Sequence, residues 1–420
     1  MRRLRYGLAP PTSRLGQNSA TRNGAFPPCS RTSSALRQIL LEWASIMEFP
    51  VPFQITRYGE PDLIPIQRAF YQSCLNVGFA RTKDHNDLVS SGVGPWPMNR
   101  RGETRISTLL SHLRHVRGRA SLTILANRLV DRLLFDGDHV SGVQLADGSI
   151  QEAETVVLCA GSIGTPAILL RSGIGPAHQL EALGIRPRID LPGVGARLWD
   201  HAAVPIRLVR HPDECVIGRD PRFQIMARFT AAGSAQADDM QLVMTTHLDL
   251  RSSPALMAEA EVPVVAALRI ALMQPVGHGT LALGSADPAE QPFINLNYCA
   301  HSADMRRLIE GVRLAWTVLQ TDPLAKAYER VAGLSAEVVG SDERLASYIR
   351  SNVGTYCHAS GTVPIGPGHD RGAALDQRCV VRGAANLHVA DASIFPRIPG
   401  AVPNMTVMMV AERVADWLTS

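Results

Sequence analysis

Glu154-Thr155-Val156-Val157-Leu158-Cys159-Ala160-Gly161 is a run of β-branched and aliphatic residues that ends on a glycine, and just beyond it Thr165-Pro166 opens an amphipathic stretch through Leu170. A buried strand that feeds a helix across a Gly-rich turn is an element of a doubly wound α/β fold, and Pro at the first helical position suits such a start. Upstream, Leu122-Thr123-Ile124-Leu125 and Val130 to Phe135 read as strands and Asp136-Gly137-Asp138 as a turn. Val140 to Leu145 reads as another strand and Asp147-Gly148 as a hairpin turn, so a β-meander precedes the decisive stretch. Downstream, Ala202 to Leu296 carries alternating segments such as Gln241-Leu242-Val243-Met244 and Gly279-Thr280-Leu281-Ala282-Leu283, which predict an antiparallel sheet. Met305 to Leu319 has helical spacing of apolar residues (Leu308, Val312, Leu314, Ala315, Val318, Leu319). Leu387 to Ala390 reads as a short strand, and Thr406 to Leu418 as a helix whose apolar face includes Val407, Val410, Val414 and Trp417. Met1 to Met47 has no apolar period beyond a short helix-like stretch from Ala35 to Trp43, and no fold is assigned to it.

Composition narrows the class. A chain of 420 residues exceeds what one core organises, which predicts two domains or one interrupted by another. With 45% hydrophobic and 19% charged residues it has the make-up of a globular enzyme. Basic residues number 42 and acidic ones 38, a net +4, without a run of Lys and Arg; no nucleic-acid partner is expected. The basic start is followed by prolines and polar residues where a secretory signal needs an apolar stretch, and no uncharged run approaches the ~18 residues of a membrane span. Seven scattered cysteines lack the close pairs of a metal site or disulfide framework, so a cytoplasmic protein with no metal is expected. Ala160-Gly161-Ser162-Ile163-Gly164 is not a nucleophile elbow, and no His-Glu-x-x-His or phosphate-loop pattern occurs, which argues against hydrolases and metalloenzymes.

Three stretches together carry a resemblance. The first is Ala160-Gly161-Ser162-Ile163-Gly164-Thr165-Pro166-Ala167-Ile168-Leu169-Leu170-Arg171-Ser172-Gly173-Ile174-Gly175-Pro176, with Leu191-Pro192-Gly193-Val194-Gly195-Ala196-Arg197-Leu198-Trp199-Asp200-His201 after it. The second is Tyr356-Cys357-His358-Ala359-Ser360-Gly361-Thr362-Val363-Pro364-Ile365-Gly366. The third runs from Val389-Ala390-Asp391-Ala392-Ser393 to Pro403-Asn404-Met405-Thr406-Val407-Met408. From about residue 50 to the C-terminus the chain resembles the glucose-methanol-choline (GMC) oxidoreductases, in the choline dehydrogenase and oxidase-like version whose second active-site residue is Asn.

The resemblance implies an FAD-dependent enzyme acting on the CH–OH group of a small alcohol. It implies an incomplete doubly wound FAD-binding domain (94–201 and 351–420), an inserted antiparallel-sheet substrate domain (202–350), a peripheral segment at 48–93, and an unassigned 1–47. His358 is the implied base, a role its pKa range suits. Asn404 is the implied partner of the substrate oxygen, since a neutral amide donates without competing for the proton. Asn404 stands just before the last helix, where capping would equally explain it. Helix N-terminal charge there would favour a reduced flavin, so Asn404, Met405 and Thr406 are carried as cofactor-binding. Asp391 and Ala392 resemble the loop at the ribityl and phosphate region, although Asp391 could simply cap a turn. Val130 resembles the residue whose backbone meets the adenine, and Ala160 and Gly161 the strand end beside the adenosine; each suits β-core as well. The acceptor stays open among oxygen, a quinone or another redox carrier.

One departure is large. A Gly-x-Gly-x-x-Gly loop lets backbone approach a pyrophosphate, and none occurs in this sequence. The competing expectation is therefore a non-catalytic, N-terminally truncated remnant unable to hold FAD.

Overall fold

The computed structural model describes residues 55–87, 90–211 and 220–420. Residues 1–47, with the helix-like stretch at 35–43, lie outside the described residues. No described helix is long and apolar enough to cross a membrane.

Helix α1 (Pro65–Asn76) precedes strand β1 (Gly92–Pro95). A three-stranded meander follows, formed by β2 (Val130–Asp136), β3 (His139–Leu145) and β4 (Ile150–Glu152). Its turns fall where Gly137 and Gly148 supply the positive φ that tight hairpins need. The preceding residues 122–125 form no strand, contrary to expectation. Ile124 is 44% and Leu125 52% exposed, and without a partner strand to satisfy its backbone an aliphatic run does not become β-structure.

Strand β5 (Val156–Leu158) leads into α2 (Gly161–Arg171), the strand-to-helix element that the opening stretch predicts. The helix begins at Gly161, ahead of the expected start at Thr165-Pro166, and Pro166 sits inside it. Pro166 cannot donate to the Ser162 carbonyl one turn back; the Thr362 hydroxyl donates to that oxygen instead at 2.8 Å.

The dominant sheet is antiparallel. Its strands β6 (Ala202–Val209), β7 (Ile225–Phe229), β8 (Met240–Asp249) and β9 (Val264–Leu272) are followed by helix α3 (Ser302–Leu319) and strand β10 (Arg330–Ala332). Helix α4 (Asp342–Asn352) and strand β11 (Gly354–Thr355) come next. The order is β10-β6-β9-β8-β7-β1, with β11 also paired to β6. The alternation of strand side chains divides this sheet into two faces. Met240, Leu242 and Met244 of β8 and Leu268, Ile270 and Leu272 of β9 join Phe70 of α1 and Leu308, Val312 and Leu319 of α3 in the main core. Gln241, Val243 and Thr245 of β8 and Ala267, Arg269 and Ala271 of β9 alternate to the other face. The segment around 279–283, expected within this sheet, instead gives Thr280–Ala282 paired with Phe293–Asn295 in a separate hairpin.

Strand β12 (Leu387–Val389) runs parallel to β5, with Val389 opposite Leu158, and helix α5 (Asn404–Thr419) ends the chain. The α/β part and the antiparallel sheet are thus both present, and among the described residues β5 and β12 form a two-stranded parallel sheet.

Candidate active site

Asp200 organises the loop that carries His358. One carboxylate oxygen accepts from the backbone N–H of His201 (2.8 Å) and of His358 (2.9 Å). The other accepts from the Tyr298 hydroxyl (2.5 Å) and the Thr355 hydroxyl. Burial pushes this carboxyl above its usual range, and the four hydrogen bonds pull it back toward the charged form. The clasp joins the segment after Leu198 to the segment after β11. Cys357 adopts φ +64°, a left-handed conformation rare for a residue with a Cβ, so the backbone bends sharply one position before His358.

His358 and His201 meet through their Nδ1 atoms at 2.8 Å, and His201 Nε2 lies 3.1 Å from the Pro399 carbonyl oxygen. Burial lowers the pKa of His358 to about 4, and burial followed by the nearby His358 lowers that of His201 to about 3, so both rings are neutral near pH 7. A carbonyl only accepts, so Nε2 of His201 carries the proton and its Nδ1 is bare. His358 must then donate from Nδ1, which leaves the lone pair on its Nε2 free to accept a proton. The Pro399 carbonyl thus favours, two hydrogen bonds away, the His358 tautomer whose Nε2 is unprotonated. His201, which stands in a sequence motif that does not mark it, is the ring that contacts His358, and the two lie 157 positions apart, beyond the reach of spacing rules.

Asn404 was open to a capping role, and the structure does not give it one. The cap position of α5 is Pro403, and Asn404 is the first helical residue. Its exposed side chain lines a cavity of about 530 Å³ with Met405 and Thr406. Trp96 and Phe223, whose rings lie 5.1 Å apart, form part of the wall, and Gln241 and Met273 come from the second face of the sheet. His358 is not in this wall. Its link to the cavity runs through His201 to Pro399, whose neighbour Gly400 lines the cavity. The first backbone N–H groups of α5 have no intrahelical acceptor, which gives that end partial positive charge.

The remaining cofactor candidates fall in two places. Ala160, Gly161, Asp391 and Ala392 gather where β5 and β12 end. Asp391 accepts from Gly161 N–H (2.9 Å), the Thr165 hydroxyl (2.5 Å) and Ser393 N–H (2.8 Å), so its buried carboxylate clasps the start of α2 to its own turn. Gly161 has φ +76° and open space where a Cβ would stand, and Ala160 beside it is exposed. Val130 opens β2, and its carbonyl accepts from Arg171 in the last turn of α2 at 3.2 Å.

Family models described as GMC oxidoreductase match residues 38–203 and 275–411. An uncharacterized GMC-type oxidoreductase of Rhodococcus erythropolis is 33% identical over 371 residues, covering 87% of this chain and 70% of that protein. The 5-(hydroxymethyl)furfural oxidase of a Methylovorus species is 33% identical, covering 81% of this chain and 65% of that protein. Among solved structures, pyridoxine 4-oxidase from Mesorbium loti superposes with a TM-score of 0.77 at 27% identity, covering 87% of this chain and 72% of that one. The chain belongs to the GMC oxidoreductase family, whose members are FAD-dependent oxidoreductases. It spans about two thirds of the length of the relatives it matches.

Proposed function

We propose that this chain is an FAD-dependent oxidoreductase of a small alcohol, in which His358 takes the hydroxyl proton and Asn404 hydrogen-bonds the substrate oxygen. The observation that carries this reading is the neutral His358 ring whose Nε2 is left bare by the chain of bonds through His201 to Pro399. A neutral ring accepts a proton without first losing one, and with a pKa of about 4 it is a weaker base than a free imidazole. Asn404 presents an amide to the cavity at a helix start whose charge favours a developing alkoxide.

The residues present fit one end of FAD. The open, left-handed Gly161 beside exposed Ala160 gives room for close approach, with Asp391 and Ala392 fixing the turn and Val130 offering backbone for the adenine. Met405 and Thr406, with Asn404, would hold the ring end at the start of α5. The bound flavin would supply the hydride acceptor; the proton is handled by His358. The five described cysteines are all free, and a reducing cytoplasm is part of the proposal. A second reading, a non-catalytic relative that keeps the site residues, is favoured by the absence of Gly-x-Gly-x-x-Gly from the sequence.

Two measurements test the first reading. With FAD added in excess, His358→Ala should slow anaerobic flavin reduction by an alcohol by about 10²- to 10⁴-fold while flavin content stays unchanged. An unaltered rate would remove His358 from the chemistry. Independently of flavin, ¹⁵N shifts should show Nε2 of His358 and Nδ1 of His201 both unprotonated at pH 7.

A further inference from the structure

The second face of the large sheet, which supplies the cavity with Gln241 and Met273, continues beyond the cavity wall to Arg269. Arg269 stands opposite Val243 on β8 and Pro205 on β6. Its guanidinium lies 5.7 Å from the centre of the Tyr356 ring, and that ring is 4.8 Å from the ring of His358. A single phenol therefore separates a fixed cation from the candidate base. Tyr356 packs against Ala203, Ala271 and Met273, and its hydroxyl is buried without a hydrogen-bond partner among the described residues.

The same holds for Arg269 Nε and Thr245 Oγ1 on this face, both of which can donate to an anion. Buried polar atoms are ordinarily paired, and these three donor-capable groups lie together on one face of the sheet, where an acceptor would satisfy them. Arg222 adds a second cation, its charge disfavoured by burial and then by the nearby Arg269, and its guanidinium lies 5.3 Å from the ring of the cavity-lining Phe223. Neither Arg222 nor Arg269 is in an ion pair among the described residues. Of the neighbours acting on the adjacent His247, Arg222 and Arg210 are basic and Asp220 is the acid.

We propose that Arg269, with Arg222 and the Tyr356 hydroxyl, receives the anionic end of the alcohol, so that the substrate carries a carboxylate at one end and its carbinol toward His358. A planar guanidinium matches a carboxylate in geometry and charge, and the phenol O–H would complete its hydrogen bonds. A quaternary ammonium alcohol would meet two like charges here, and a neutral alcohol would leave the buried polar atoms unpaired. The assignment rests on reading this site as alcohol-oxidising, and its test needs no flavin, so the two fail separately.

Calorimetric titration of the 420-residue chain with 4-(hydroxymethyl)benzoate, benzyl alcohol, choline and inorganic phosphate decides it. The carboxylate should bind at least about tenfold more tightly than benzyl alcohol, weaken as salt rises, and exceed phosphate, with no heat from choline. Arg269→Met should lower affinity for the carboxylate by about tenfold or more and leave benzyl alcohol unchanged, with Arg269→Lys intermediate. Tyr356→Phe, nearly isosteric, guards against a folding defect and should weaken the carboxylate severalfold. Equal affinity for the carboxylate and benzyl alcohol, a preference for phosphate, or unchanged binding in both Arg269→Met and Tyr356→Phe would overturn the proposal.

Discussion

His201 is wholly buried between His358 and the Pro399 carbonyl, and its position has a consequence for stability. Its folded pKa of about 3 lies below the 6.5 of a free imidazole. Its neutral form is therefore native at pH 7, and below pH 6.5 the unfolded chain gains protons that the folded chain does not. Stability from this residue is complete above about pH 6.5 and falls as pH drops toward 3. At pH 5 the loss is about 2 kcal/mol for one imidazole. His358, with a folded pKa of about 4, adds a loss of the same sign. Urea unfolding should show a midpoint that falls between pH 7 and pH 5, and His201→Gln should flatten that slope. A variant with the parent's slope would mean that His201 titrates normally in the fold.

At the scale of elements, the contact between α3 and the sheet decides how rigidly the second face is held. A Cβ at Gly311 would come 2.7 Å from Met240 Cε and 2.8 Å from Ile270 Cγ2. The methionine terminus can yield; the branched Ile270 methyl in a packed strand cannot without moving β9. Gly311→Val is expected to destabilise by about 1–3 kcal/mol. Gly311→Ala should cost less, because helix propensity offsets up to about 1 kcal/mol of the crowding. Denaturant midpoints check both, and equal stability of the valine variant would show that α3 stands off the sheet. Helix α3 was legible in sequence because its period of 3.6 matches the face it buries, and β8 from its apolar run Leu242-Val243-Met244, which is buried on both faces of the sheet. The start of α2 was not, because proline normally opens a helix. Here the Asp391 clasp on Gly161 starts it a turn earlier, and the Thr362 hydroxyl compensates the proline. Both depend on contacts distant in sequence.

Over the whole molecule, the GMC motifs pointed to His358, Asn404 and the turn at Gly161 as proposed site residues, whereas His201 and Arg269 took their proposed roles only from tertiary neighbours. A histidine after Asp200 and an arginine within a strand carry no local signature. The flavin's phosphates pose the largest question. A pyrophosphate needs several backbone N–H donors at a helix N-terminus, reached through glycines that allow close approach. The turn at Gly161 has one such glycine, but its N–H is already given to Asp391, and the sequence has no Gly-x-Gly-x-x-Gly. Around Val130, the proposed adenine contact, Ile124, Leu125 and Leu129 are 44%, 52% and 50% exposed, a run of apolar surface that favours self-association. The 420-residue chain is therefore expected to purify with well under one FAD per chain, to bind added FAD no more tightly than micromolar, and to aggregate on concentration. Flavin absorbance per chain, fluorescence titration with FAD and light scattering measure the three. A soluble, yellow preparation with stoichiometric FAD would show that the phosphates are held by a sequence other than the glycine loop. Mutating Gly161 to Val in that preparation would then reveal whether the left-handed turn still takes part, since a Cβ there is strained at φ +76° whatever the ligand.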